Sequence, residues 1–293
     1  MAETHFEKGR HGLGILLVLL SELGYGLMQI SVALTDRSIS VPQQIFVRNV
    51  ICLAAFWWLS RHEKVPFFGP AKYRPLLIAR AALGLIGIML LFYAVRNAYQ
   101  ADVTLMSRMS MFTVTAMSAV FLHERIGVGH VAALLMAFAG AYIAANPRFD
   151  SSFLPMFAAF MCAMASSAVY ILLSYFSGRV HPTTILLSFC ASCVIATFPM
   201  TAATFVMPSL KDAFFMFCTG LAAVFAQITM TYAYRMAPPG ELGIYSQTSI
   251  IMGAALGWFF LGEIPSRRTV IGGIIILAAS FLLYACKKKQ MAE

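Results

Sequence analysis

The chain has 293 residues, 60% of them apolar and 11% charged, with a formal net charge of +9. Soluble domains carry about 25% charged residues, and the mean hydropathy of +0.79 points away from them. These values exclude a soluble enzyme and a disordered chain. They exclude nucleic-acid binding too, because the basic residues fall in short clusters between apolar runs rather than along one face.

A membrane helix needs about 20 mostly apolar residues. Ten such segments follow in chain order, near 12–34, 41–60, 75–97, 102–122, 127–145, 153–177, 182–206, 210–236, 241–261 and 267–286. The short connections leave no room for a soluble domain. Lys8 and Arg10 before the first segment imitate a secretory leader, but its length and the buried-depth Glu22 read as a retained span. With ten spans both termini share one face, which collects 12 Lys and Arg residues against 6 on the other. Cytoplasmic loops carry the excess of basic residues, so both termini are placed in the cytoplasm.

Residues 93–124 align with 232–263 without a gap at an offset of 139. Arg96 meets Arg235, Asp102 meets Glu241, Ser107 meets Ser246 and Glu124 meets Glu263. The expected halves, 1–147 and 148–293, each hold five helices. An odd number forces opposite orientations, a construction that recurs in secondary transporters with the substrate near the midplane.

These residues resemble the drug/metabolite transporter superfamily, EamA type. The resemblance covers essentially the whole chain. It rests on the ten spans, the two repeats, and the Leu-x-Glu signatures Leu122-His123-Glu124 and Leu261-Gly262-Glu263. Arg48 in Phe46-Val47-Arg48 and Arg80 in Ala79-Arg80-Ala81-Ala82-Leu83-Gly84 also match family patterns. One departure is that Met111 and Ile250 stand where the family places a proline inside helices 4 and 9. The resemblance implies an all-α fold with a central cavity lined mainly by helices 1, 3, 4, 6, 8 and 9.

Charges that recur in both repeats lie at helix ends. Arg96, Asp102, Glu124, Arg235, Glu241 and Glu263 are therefore expected to cap helices and pair across tight turns. Four charges break the symmetry: Glu22, Arg48, Arg80 and Arg108. Charges inside spans cost several kcal/mol on most scales and face a cavity or a partner. Glu22 sits about 15 Å deep, too far to reach a membrane face. Arginines nearer a face can extend toward it, and Arg48 and Arg80 divide between that reading and a cavity role.

Glu22, Tyr25 and Gln29 share one helical face, as do Arg80, Gly84, Gly87 and Leu91. The expected substrate-binding residues are Glu22, Tyr25, Gln29, Arg80, Arg108, Gln227, Tyr245 and Gln247, with Ser166, Ser167 and Tyr170 as weaker candidates. Glu22 is also the expected proton-coupling residue. The six cysteines all lie in apolar runs, and Cys190-x-x-Cys193 lacks a second pair or a nearby His. No metal, cofactor or catalytic residue is expected.

No phosphate-binding Gly-x-x-x-x-Gly-Lys-Ser/Thr loop occurs, and the histidines lack metalloprotease spacing. A channel filter is also missing. The sequence thus points to a secondary transporter of the bacterial inner membrane. It is expected to export a small amphoteric metabolite, amino-acid-like, by alternating access, with exchange or proton coupling. The alternatives are hydrophobic cations or drugs, and vitamin or nucleotide-type metabolites. The expected partners are the substrate and the bilayer, the oligomeric state a monomer or weak homodimer. Gly253-x-x-x-Gly257 is expected to pack against another helix of the same chain.

Overall fold

The computed structural model describes residues 8–36, 38–67, 69–97, 100–123, 126–146, 153–262 and 266–290. Among them are twelve α-helices and no strand. The helices are α1 (Lys8–Leu34), α2 (Val41–His62), α3 (Arg74–Asn97), α4 (Gln100–Arg108), α5 (Ser110–Phe121) and α6 (Val128–Ala145). They continue as α7 (Phe153–Tyr175), α8 (Pro182–Ala203), α9 (Leu210–Met236), α10 (Pro239–Tyr245), α11 (Ser249–Leu261) and α12 (Arg267–Gln290). Six stretches are long and apolar enough to cross a membrane, lying in α1, α3, α7, α8, α9 and α12. Two shorter apolar helices, Leu105–Phe121 and Val128–Ala144, accompany them.

Helix starts follow local chemistry. Ser209 precedes α9 in extended conformation, and its hydroxyl accepts the Asp212 amide at 3.2 Å. Pro42 and Pro182 occupy the first turns of α2 and α8, where their missing N–H costs nothing. At the other end, Asn146 and Gly262 close α6 and α11 with positive φ of 47° and 68°.

Two of the expected spans are broken. α4 and α5 meet at Met109, and the 3-10 turn Ser246–Thr248 separates α10 from α11. At the offset of 139, Arg108 is the counterpart of Gln247, so both breaks fall at the same place in the aligned block. Neither break uses a proline. The Met109 amide bonds to the Met106 carbonyl at 3.1 Å and the Phe112 amide to Met109 at 3.0 Å, the tighter 3-10 spacing. Hydroxyls cluster at both breaks. Ser107 donates to the Val103 carbonyl at 2.9 Å and Thr113 to Ser110 at 3.2 Å. Ser246, Thr248 and Ser249 donate to Gly243, Tyr245 and Ser246 at 2.9, 2.8 and 2.7 Å. Such back-bonding competes for helix carbonyls and bends the chain.

The most extensive packing runs α1 along α9, α6 along α12, α3 along α7 and α2 along α8. Further contacts join α2 to α9, α3 to α8, α5 to α7 and α1 to α11. In lipid the hydrophobic effect does little between helices, so close backbone approach carries the packing. α6 and α12 cross at Gly140 and Gly272, where a Cβ on Gly140 meets the Gly272 carbonyl oxygen at 2.7 Å. Gly253, by contrast, has open space around it within 4 Å. The packing expected of Gly253-x-x-x-Gly257 inside the chain is therefore not made at that glycine, because α11 turns it outward.

Polar links close each end of the bundle. At one end Ser40 and Thr204 hydroxyls meet at 2.9 Å, and the Asp36 amide donates to the Asp212 carboxylate at 2.9 Å. At the other, the Thr183 hydroxyl donates to the Glu63 carboxylate at 2.6 Å, and Ser177 to the Arg235 carbonyl at 3.2 Å.

Candidate functional site

A cavity of about 220 Å³ lies between α1, α2 and α3 on one side and α7, α8 and α9 on the other. Drug-sized pockets run to about 300–1,000 Å³, so this one suits a small metabolite. Its helices differ from the expected set. α2 and α8 contribute Arg48 and Phe189, whereas no residue of α4, α5, α10 or α11 lines it. Of the broken segments, Arg108 Nη1 donates to the Ser249 hydroxyl at 2.8 Å.

α3 supplies one wall. Arg80, Gly84, Gly87 and Leu91, spaced along one helical face, all line the cavity. Arg80 is only 3% exposed, and its guanidinium carbon sits 4.1 Å from the centre of the Phe189 ring. Gly84 makes that stacking feasible, since a Cβ there meets the ring at 2.8 Å. Arg48 on α2 is 9% exposed. Both arginines are buried within the bundle. Arg80 Nε and Nη1 and Arg48 Nε are buried without a hydrogen-bond partner.

The other expected site residues divide. Tyr25 and Gln227 line the cavity, with the Tyr25 hydroxyl 3.5 Å from Met230 Sδ. Glu22, one turn from Tyr25, does not line it. Glu22 lies near enough to Arg108 for each charge to act on the other, and near Tyr25 and Tyr170. No direct ion pair joins Glu22 to Arg108 among the described residues. Gln29 is exposed and stands apart from the lining. Tyr245 and Gln247 are buried in the second break, where Gln247 Nε2 donates to the Gly243 carbonyl at 3.1 Å.

Of the weaker candidates, Ser166 and Tyr170 line the cavity, and Tyr170 stacks on Tyr234 with ring centres 4.6 Å apart. Ser167 instead meets Thr113 at 2.5 Å. Among the six residues expected at helix ends, Glu241 is fully buried in the first turn of α10, 2.9 Å from His11 Nε2. Arg235 lies in the last turn of α9, its guanidinium carbon 5.9 Å from the Tyr232 ring centre. The side chains of Arg96 and Asp102, and all of Glu124 and Glu263, lie outside the described residues. The cavity wall also holds Arg48, which the sequence analysis kept outside the substrate-binding set, and Phe189, which it did not single out. The signal for Arg48 was present: an intramembrane charge whose repeat counterpart is Ser188.

The cysteines are free, with Cys52, Cys162, Cys190 and Cys193 buried. Among the described residues no group of three or more His, Cys, Asp or Glu gathers to hold a metal ion.

A bundle of membrane-length helices around a small, largely apolar cavity that holds two arginines defines a multi-pass integral membrane protein. The sequence profile of the EamA-like transporter family matches residues 12–146 and again 153–285. The chain belongs to that family, within the drug/metabolite transporter superfamily. It is similar to the pseudopaline exporter CntI of Pseudomonas aeruginosa, 26% identical over 277 residues, 94% of this chain and 97% of that one. A riboflavin transporter of Vibrio cholerae is 27% identical over 225 residues, 74% of each chain. A solved crystal structure superposes with a TM-score of 0.83 at 18% identity, covering 93% of this chain and 97% of the other. The relatives are transporters, not enzymes.

Proposed function

We propose that the protein is a secondary active transporter of the bacterial inner membrane that exports a small amphoteric metabolite by alternating access. The observation that carries this reading is the make-up of the cavity wall. It is divided between α1–α3 and α7–α9, one set from each of the two stretches that the family profile matches. A site between two bodies is reached from opposite sides as they rock.

The pairing of helices supports two related halves, 1–147 and 148–293. Exchanging the halves turns the α1–α9 contact into the α7–α3 contact, and α5–α7 into α11–α1. The pairs α2–α8 and α6–α12 map onto themselves. In this reading α4 with α5 forms one crossing and α10 with α11 another, giving ten, with both termini in the cytoplasm. Glu22 is the coupling carboxyl. Arg80, Tyr25 and Gln227 contact the substrate. Arg108, Gln247 and Tyr245 hold the broken helices, and Gln29 stands at the margin. The similarity to a pseudopaline exporter favours export of a metabolite. The similarity to riboflavin transporters favours a second reading, a vitamin-type substrate. Two arginines on the wall disfavour a hydrophobic cation.

Counterflow in proteoliposomes tests the proposal. Vesicles loaded with a cell metabolite extract are diluted into labelled candidates. Saturable accumulation against the gradient is expected. A flux that rises linearly with concentration indicates a channel and overturns it.

A further inference from the structure

We infer that the amphoteric substrate carries two carboxylates, met separately in this cavity by Arg48 of α2 and Arg80 of α3. The inference deepens the transport reading above and rests on it for the cavity's being a substrate site.

The first observation is charge. Arg48 and Arg80 line the cavity, and no Asp or Glu does. Glu22, which does not line the cavity, is opposed by the charge of Arg108. Two positive charges are therefore left without an opposing one beside a cavity in the membrane interior.

The second observation is hydrogen bonding. Arg80 Nε and Nη1 and Arg48 Nε are buried and make no hydrogen bond. Buried donors without acceptors are costly, more so when charged. Guanidinium groups match carboxylates in geometry and accept two-point contact. An anionic ligand therefore supplies what the protein withholds.

The third observation is that the site is built. Phe189 covers one face of Arg80 at 4.1 Å, and Gly84 leaves room for the ring. The guanidinium plane is thereby held while its N–H edges stay available. Arg48 and Arg80 sit on different helices, yet both act on Tyr25 and Cys193, so they flank one space. A single carboxylate satisfies one arginine and leaves the other. Two carboxylates on one carbon frame satisfy both. Gln227 and Ser166 on the opposite helices offer neutral contacts to the remainder of the molecule.

The test uses purified full-length protein in detergent, with succinate, glutarate, glycerol 3-phosphate, lysine and tetraphenylphosphonium as probes. Binding is read by thermal shift and titration, and counterflow is measured alongside. Succinate or glutarate should raise the melting temperature saturably, and lysine and tetraphenylphosphonium should not. Arg48→Gln and Arg80→Gln should each weaken dicarboxylate binding about tenfold or more. Arg80→Lys should not restore it, because an ammonium lacks the planar fork. Without probe, Arg80→Gln should melt no lower than the parent, since it removes an unpartnered buried charge. Phe189→Leu, which keeps both charges, should weaken binding several-fold.

Unchanged dicarboxylate binding in both glutamine variants overturns the inference, as does failure of every dicarboxylate to bind. Binding of glycerol 3-phosphate alone overturns the two-carboxylate assignment in favour of one phosphate. Counterflow of lysine or tetraphenylphosphonium without dicarboxylate binding overturns this inference and keeps the transport reading. Dicarboxylate binding without counterflow of any probe upholds the site and overturns the transport reading.

Discussion

Arg108, the last residue of α4, donates from Nη1 to the hydroxyl of Ser249, the first residue of α11, at 2.8 Å. The bond ties the break in one matched stretch to the break in the other. Ser249 itself donates to the Ser246 carbonyl at 2.7 Å, so the chain Arg108–Ser249–Ser246 spans both weakened helices. Helices interrupted by 3-10 turns are natural hinges. A charged hydrogen bond between two hinges couples their movement, and Glu22 adds a carboxylate within the field of the same arginine.

Removing this tie should slow transport more than it unfolds the protein. Ser249→Ala is expected to cost about 1.5–3 kcal/mol of stability at most, the usual worth of a hydrogen bond to a charged group. Counterflow should fall several-fold. Arg108→Gln should fall further, because it also leaves Glu22 without its opposing charge. Wild-type rates in both variants remove Arg108 from the moving parts.

Glu22→Gln separates coupling from scaffolding. As the coupling carboxyl, Glu22 exchanges a proton between access states, and the amide cannot. The variant should still bind and exchange substrate while losing uphill transport driven by a proton gradient. A well-folded Glu22→Gln protein that pumps uphill with wild-type pH dependence assigns coupling elsewhere.

The glycines predict unequal effects of one added methyl. Gly140→Ala and Gly272→Ala force a Cβ against backbone at the α6–α12 crossing, where neither chain yields easily. Each should cost about 1–3 kcal/mol, as overpacking does. Gly253→Ala meets open space and should leave the melting temperature unchanged. Equal effects at all three positions contradict the crossing described here.

Much of this was legible in the sequence, and the gaps have physical causes. Hydropathy marked the apolar stretches, and six of them are helices of membrane-crossing length, because a crossing sets a minimum apolar length. Helical periodicity placed Arg80, Gly84, Gly87 and Leu91 on one wall. The same periodicity placed Gln29 beside Tyr25, yet Gln29 is exposed. A helical face specifies direction but not depth, and a cavity ends where the neighbouring helix closes in. Arg48 fits both a snorkelling and a cavity reading from position alone, and only packing separates them. The breaks were hidden for a different reason. Met111 and Ile250 stand where the family places prolines, and the breaks instead carry the back-bonded hydroxyls of Ser107, Thr113, Ser246, Thr248 and Ser249. Those hydroxyls were visible, but a hydroxyl facing a cavity and one bonding its own backbone look alike in a sequence.

Alternating access is tested most directly by locking the two halves at one end. Ser40 and Thr204 meet at 2.9 Å where α2 and α8 come together. A Ser40→Cys, Thr204→Cys protein should crosslink on oxidation with its fold intact. Counterflow is then expected to drop to background and to return on reduction, while the oxidised parent, whose native cysteines are free, keeps full activity. Full counterflow by the completely crosslinked protein contradicts the account.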